Sequence, residues 1–189
     1  MSSRPRRSLQ LPLEAGRLSI REFTAADEAA VVALYGDPRV TRHLLHGPAD
    51  EEGARQHLAQ VVRRQRDARR DIWELGVELQ GVAGLVGACD LSLHSSAEAE
   101  IGYLLSPPHW GRGIGTEVAT ALLRAAFGQL QMRRVLSTVE ISNARSIKVL
   151  EKAGLRWEGT LRRYARTRRR WWDVHLYAVS REDWLLARS

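Results

Sequence analysis

Eight residues, Trp110-Gly111-Arg112-Gly113-Ile114-Gly115-Thr116-Glu117, carry the clearest chemical signal in the chain. They lie between an apolar run, Ile101 to Leu105, and a helical pattern of Ile114, Val118, Ala121, Leu122 and Ala125. A strand, a glycine-rich turn and a helix in that order make an anion site. The opening N–H groups of a helix lack internal partners, and the helix dipole places about half a positive charge there. Gly111, Gly113 and Gly115 let the main chain approach a ligand with no Cβ in the way. The expected ligand is a phosphate or pyrophosphate held by main-chain N–H groups. The plainer alternative is a turn that only joins a strand to a helix.

The turn differs from two better-known phosphate motifs. A P-loop needs G-x-x-x-x-G-K-[ST], and no Lys follows Gly115. A dinucleotide fingerprint needs G-x-G-x-x-G on the opening strand-to-helix turn of a domain, whereas this turn lies past the middle of the chain. Other chemistry is sparse. Of the six His, none forms an H-E-x-x-H motif, and His43 and His46 alone are too few for a metal site. No G-x-S-x-G elbow is present. The single Cys, Cys89, excludes an internal disulfide framework and reads as a core thiol. No metal is expected.

Composition sets the class. The 189 residues suffice for one domain with a real core, and 44% hydrophobic with 27% charged is ordinary for a globular chain. A net charge of +7 and a pI of about 10.4 favour polyanionic ligands, either nucleic acid or a highly phosphorylated cofactor. The basic stretch Met1 to Ser8 is followed by no apolar core, so a signal peptide is not expected. No run of about 18 apolar residues offers a membrane span. A cytoplasmic protein is the expectation.

The elements that must position the turn follow from periodicity. Residues 1–12 read as a flexible basic arm, and 13–189 as a single domain. Arg17 to Phe23 reads as a strand, then Thr24 as an N-cap for a helix stopped by Gly36-Asp37-Pro38. A loop or short helix follows, then a polar helix over Asp50 to Arg70. Ile72 to Leu79 and Val82 to Leu93 read as strands joined at Gln80-Gly81, with Gly84 and Gly87 marking bulges or close backbone approach. Ala97 to Leu105 is the next strand, and the glycine-turn helix runs to near Gly128. Val135 to Ile141 is a strand. Asn143 caps a helix through Lys152, closed by Gly154. Leu155 to Glu158 and Asp173 to Val179 are the last strands. Hairpins followed by alternating strands and helices predict an α+β (α/β mixed) sheet with helices on both faces. The strand after the glycine helix must run parallel to the one before it.

With these elements in place the chain resembles the GNAT superfamily of acetyl-CoA-dependent N-acetyltransferases. Trp110-Gly111-Arg112-Gly113-Ile114-Gly115 matches its cofactor turn [QR]-x-x-G-x-[GA], with Trp in the leading place. That Trp is typical of the RimJ/RimL branch of ribosomal-protein N-acetyltransferases. Glu14-Ala15-Gly16-Arg17-Leu18 with Arg21-Glu22-Phe23-Thr24 resembles the opening of that branch. Asp37-Pro38-Arg39-Val40, Gly47-Pro48 and Glu100-Ile101-Gly102-Tyr103 follow in its order. Asn143-Ala144-Arg145-Ser146 with Leu150 to Leu155 resembles its N-x-x-S helix. Glu158-Gly159-Thr160-Leu161-Arg162, Asp173 and Arg181-Glu182-Asp183-Trp184 resemble its tail. The likeness covers roughly residues 13–184.

The resemblance implies a GNAT-like fold: a mostly antiparallel central sheet splayed at one parallel pair of strands. It implies acetyl-CoA as cofactor and coenzyme A as product. Trp110, Gly111, Arg112, Gly113, Ile114, Gly115 and Thr116 would cradle the pyrophosphate. The main chain of Leu104 and Leu105, with Asn143, would hold the pantetheine arm. A primary amine would attack the thioester directly. Glu100 is the candidate base through water, Glu98 on the same face the substitute, and Ser146 the proton donor to the departing thiolate. The alternatives are an exposed strand residue or a salt bridge for Glu100 and an ordinary helix-start residue for Ser146. An α-amine, with pKa ~7.7–8, makes modest demands on a base.

The acceptor would lie between Arg39 to Gly47 and Arg162 to Trp172, with His43, His46, Tyr164 and Trp172 as candidate contacts. The basic, aromatic second segment is either a solvated hairpin tip or a surface for an acidic partner or the ribosome. The expected acceptor is a protein N-terminal α-amine. A small amine such as an aminoglycoside or polyamine is the alternative, disfavoured by the positive charge unless the pocket is locally acidic. A non-catalytic RNA-binding or regulatory module on the same fold is the third reading. Either a monomer or a homodimer is compatible with the sequence.

Overall fold

The computed structural model describes residues 7–67, 69–167 and 170–188. Among them the strands are β1 (Leu13–Ala15), β2 (Leu18–Glu22), β3 (Ile72–Leu79), β4 (Leu85–Leu93), β5 (Glu98–Leu105), β6 (Arg134–Glu140), β7 (Arg156–Arg166) and β8 (Trp171–Ser180). They form one sheet in the order β1-β2-β3-β4-β5-β6-β8-β7. Every neighbouring pair is antiparallel except β5 and β6. The helices are α1 (Glu28–Gly36), α2 (Pro38–Thr41), α3 (Glu51–Arg64), α4 (Ile114–Arg124), α5 (Ala144–Ala153) and α6 (Arg181–Leu186). The expected mixed sheet of the GNAT type is therefore the observed one.

Two apolar cores sandwich the sheet. On one face α1 and α3 bury Val31, Leu34, Leu58 and Val61 against Phe23 and Ala88. On the other, α4 buries Ile114, Val118, Leu122 and Leu123 among Ile20, Leu75, Leu91 and Ile101. Cys89 of β4 is buried in that second core, where burial holds its thiol well above the usual range. Phe127 and Trp184 of α6 meet there, their ring centroids 5.4 Å apart.

The parallel pair positions the site. Its register runs only from Glu98↔Arg134 to Glu100↔Leu136. Beyond that rung β5 continues to Leu105 and β6 to Glu140, each held by its other neighbour. Leu105 still opposes Gly87 of β4, and Glu140 still opposes Val174 of β8. The two strands thus part into a wedge. At its apex the Glu100 carboxylate accepts from Thr138 N at 3.3 Å and Thr138 Oγ1 at 2.8 Å. A side chain here takes a donor that a neighbouring carbonyl would take in a continuous ladder.

Several boundaries differ from expectation. The polar helix ends at Arg64, not Arg70. Strand β4 starts at Leu85 because Gly81 and Gly84, both at positive φ, complete the preceding turn. Strand β7 is far longer than Leu155 to Glu158: register shifts at Trp157/Gly159 and Leu161/Ala165 break its alternation and hide it from a period-2 reading. Helix α6 was not anticipated; Ser180 caps it by accepting from Asp183 N. Of the expected flexible arm, residues 1–6 lie outside the described residues. From Arg7 the chain packs on the domain, with Leu9 in the core, Arg7 donating to Ser96 O and Gln10 N donating to Gln129.

The wedge tolerates no bulk behind it. A Cβ on Gly87 would lie 2.4 Å from Leu104 O and 2.6 Å from Leu105 Cδ2. Gly87→Ala is expected to cost about 1–3 kcal/mol, read as a lower urea midpoint at unchanged slope. An unshifted midpoint would show that β4 and β5 are not held this closely.

Candidate active site

The glycine turn has the predicted form. Gly111 and Gly113 adopt φ of 73° and 82°, a region in which Ala would be strained. Gly113 is the N-cap of α4, and its carbonyl accepts from Thr116 N and Glu117 N. The N–H groups of Gly111, Arg112, Gly113, Ile114 and Gly115 have no hydrogen-bond partner among the described residues. Gly115 has a packing role instead: a Cβ there would meet Val149 of α5 at 3.2 Å and Tyr103 of β5 at 3.5 Å. Arg17 latches the turn, donating to Arg112 O at 2.6 Å and pairing with Glu117 at 2.8 Å. That pairing neutralises Glu117, an acid beside the cradle. A Cβ on Gly111 would meet nothing within 4 Å, and unpartnered amides at a helix N-terminus are donors of the kind a diphosphate takes.

Trp110 stands beside the cradle as a brace. Its indole Nε1 donates to Leu105 O at 2.7 Å, and the Arg145 guanidinium lies 4.8 Å over the ring. Helix α5, strand β5 and the turn are thereby tied together. Ser106 N donates to Val86 O, so by two-residue alternation the main chain of Leu104 also faces β4. The main chain of Tyr103 and Leu105 faces the wedge, which replaces Leu104 with Tyr103 in the expected lining.

Across the wedge Tyr103 Oη and Ser146 Oγ are 2.7 Å apart. Ser146 sits in the opening turn of α5, and its N–H donates to Asn143 Oδ1 at 3.2 Å. Asn143 thus spends its oxygen as the helix cap and keeps its NH₂ for a ligand. Burial pushes the Tyr103 hydroxyl up to about 12, only partly offset by the Ser146 hydrogen bond, so it stays protonated and can donate. Leu150, one turn on, is fully buried and aliphatic.

Three carboxylates gather on the α1/α3 face. Glu100, already bonded to Thr138, has its other oxygen 3.0 Å from His94 Nε2. Glu74 pairs with Arg64 at 3.2 Å. Asp90 lies over Gly102, where a Cβ would come within 2.4 Å of its Oδ1. Burial, then Glu100 and Glu74, push Asp90 up to about 7. Glu98 is committed elsewhere, to Arg134 at 2.8 Å, and that guanidinium also holds Glu158 at 2.6 Å.

The four expected acceptor contacts separate. His43 donates through Nδ1 to Glu140 Oε2 at 2.9 Å, joining the segment after α2 to the free end of β6. Glu140 is 7% exposed and also accepts from Ser142 N and Oγ. Burial opposes its charge, but the Ser142 and His43 hydrogen bonds outweigh this and hold it below the usual carboxylate range. His46 turns away and donates to its neighbour Gly47 O. Tyr164 is exposed on β7. Trp172 is buried, donating to Thr167 Oγ1 under the Arg170 guanidinium, so it lines nothing, while Trp171 faces out. Arg168 and Arg169 of the expected basic segment lie outside the described residues. Tyr103, Asp90 and Glu140 were not singled out in the sequence. An acid within the apolar run of β4 was the available signal for Asp90. Among the described residues no group of three His, Cys, Asp or Glu is placed to hold a metal. No helix among them is long and apolar enough to cross a membrane.

A wedge between two parallel strands, with an amide cradle at its mouth and a hydroxyl pair across it, defines a class: enzymes that hold a long thioester cofactor by its diphosphate and expose its acyl end. The chain belongs to the acetyltransferase (GNAT) domain family, whose model matches residues 17–156. It is 30% identical over 162 residues to YdaF of Bacillus subtilis (strain 168), named as a candidate ribosomal N-acetyltransferase, covering 84% of this chain and 87% of that protein. A GNAT-family acetyltransferase from Bacillus anthracis superposes with TM-score 0.80 at 28% identity, over 90% of this chain and 98% of that one. The spermidine N-acetyltransferase of Vibrio cholerae, solved with CoA and spermine, shares the fold at TM-score 0.77 and 18% identity, over 89% and 98%. The protein is an acetyl-CoA-dependent N-acetyltransferase.

Asp90 has a consequence for stability. Its folded pKa of about 7 lies above the unfolded value of ~3.9, so its contribution is complete below pH ~4 and is lost as pH rises through 7. Asp90→Asn should therefore gain on the wild type by about 2–3 kcal/mol between pH 5 and pH 8. Parallel denaturation curves across that range would show that Asp90 does not carry this proton.

Proposed function

We propose that the acceptor is a protein N-terminal α-amine, as in the RimJ/RimL-type enzymes. The observation that carries the roles below is the Tyr103–Ser146 pair spanning the wedge at 2.7 Å. Acetyl-CoA supplies the acetyl group as a thioester. The amides of Gly111 to Gly115 hold its diphosphate, and main-chain N–H groups of β5 facing the wedge polarise the carbonyl. The amine nitrogen bonds to the acetyl carbon as the carbon–sulfur bond breaks. The Ser146 hydroxyl gives its proton to the thiolate and is reprotonated from solvent, while Tyr103 stays neutral and orients it through their hydrogen bond. The ammonium proton passes through water to the Glu100 and Asp90 carboxylates.

A second reading, a small polyamine acceptor, is favoured by one observation: Glu74, Asp90 and Glu100 make the α1/α3 side of the wedge locally acidic despite the chain's net +7. Mass spectrometry of peptides and polyamines incubated with enzyme and acetyl-CoA separates the two by which product gains 42 Da, the mass of an acetyl group replacing a proton. For either acceptor, Ser146→Ala should lower kcat by about 10²–10³ while the KM for acetyl-CoA changes less than threefold, and Tyr103→Phe should fall between. A kcat within twofold of wild type in Ser146→Ala removes that hydroxyl from the reaction.

A further inference from the structure

Beside Glu140, at the free end of β6, a cavity of about 530 Å³ opens under the β7–β8 hairpin. Its lining includes Glu140, Arg162, Arg163, Arg170, Trp171 and Asp173. The volume suits a small molecule or a few residues of peptide. Its charges do not cancel. Glu140 Oε2 is occupied by His43 and by both Ser142 donors, and Arg170 stands 3.8 Å from Oε1. Asp173 Oδ1 is taken by the main-chain N–H of Arg163 at 2.7 Å, and Arg162 stands 3.9 Å from Oδ2. Three guanidiniums thus line the cavity, and none of their side chains donates a hydrogen bond within 3.5 Å to a described residue.

The backbone here is arranged at a cost. Arg163 adopts φ of 50°, a region few side chains occupy, within the register shift between Leu161 and Ala165. Such bulges re-aim side chains next to active sites. The hydrogen bond that Arg163 N donates to Asp173 Oδ1 pins this conformation, so one oxygen of that acid holds the backbone in place and pairs with no guanidinium.

We infer that this cavity binds an anionic group on the acceptor, a carboxylate near the amine that is acetylated. Resting on the acetyltransferase reading above, this narrows the acceptor to N-terminal segments with Asp or Glu within the opening few residues. The donors of a guanidinium fork match a carboxylate two at a time, whereas a polycation would meet repulsion at this end. The amine end faces the Glu100 and Asp90 carboxylates, so the acceptor is read as a dipole.

The test is acetyl transfer to three pentapeptides that begin Ser-Asp-Glu, Ser-Gln-Asn and Ser-Lys-Lys, together with free glutamate and spermidine. The full chain is used, as wild type and as Arg162→Gln/Arg163→Asn; Asn tolerates the positive φ of position 163. Wild type should favour the acidic peptide over the neutral one about tenfold in kcat/KM, expressed in KM. The double variant should bring that ratio near one with kcat held, as should 0.5 M NaCl in the wild type. Equal use of all three peptides by wild type, or an equal loss on all three in the variant, overturns the inference and leaves N-terminal acetylation standing. Transfer to glutamate but to no peptide removes the N-terminal acceptor and keeps the anionic one. Transfer to spermidine alone overturns both.

Discussion

The site depends on one place where a ladder stops. Strands β5 and β6 pair over three rungs and then separate, because each is claimed along its full length by its other neighbour. Glu100 occupies the fork and satisfies Thr138, whose main-chain donor would otherwise face a gap. Leaving that half-buried donor without a partner would cost free energy, so the carboxylate stabilises the separation. The cradle, the hydroxyl pair and the acidic face are all arranged around that opening. Without it, α4 would be an ordinary crossover helix with an anion site and nowhere for the rest of the cofactor to lie.

The distribution of charge around the wedge is uneven in a useful way. The chain is strongly basic overall, yet the α1/α3 side holds three carboxylates, and burial together with the other two raises Asp90. Basic groups are pushed outward, to the hairpin and to α5. Acetyl-CoA is a polyanion and an amine acceptor a cation, and the chain offers environments of both signs. Steering of this sort acts on encounter rates and weakens with salt.

What could be read from the sequence was local. The glycine turn was legible because positive φ at Gly111 and Gly113 and exposed amides follow from three glycines at fixed spacing. Asn143 as cap and Gly154 as helix end were legible for the same reason. The wedge was expected through resemblance; no periodicity shows where a ladder between distant strands ends. His43 and Glu140 are 97 residues apart, and no local pattern pairs them. Trp172 was chosen over Trp171 because strand parity in a bulged hairpin cannot be counted from sequence: one residue of slip exchanges the buried face for the open one. Glu98 and Glu100, two apart on one face, looked interchangeable until Arg134 was seen to claim Glu98.

Cys89 adds a practical consequence. It is the sole thiol of the chain, sealed in the core of β4 and held in its protonated form by burial. A disulfide reagent added to the folded enzyme therefore meets no reactive protein sulfur. Colour released during turnover counts coenzyme A alone, and colour in the absence of acceptor measures wasted hydrolysis. The same silent cysteine becomes an unfolding reporter once denaturant opens the sheet.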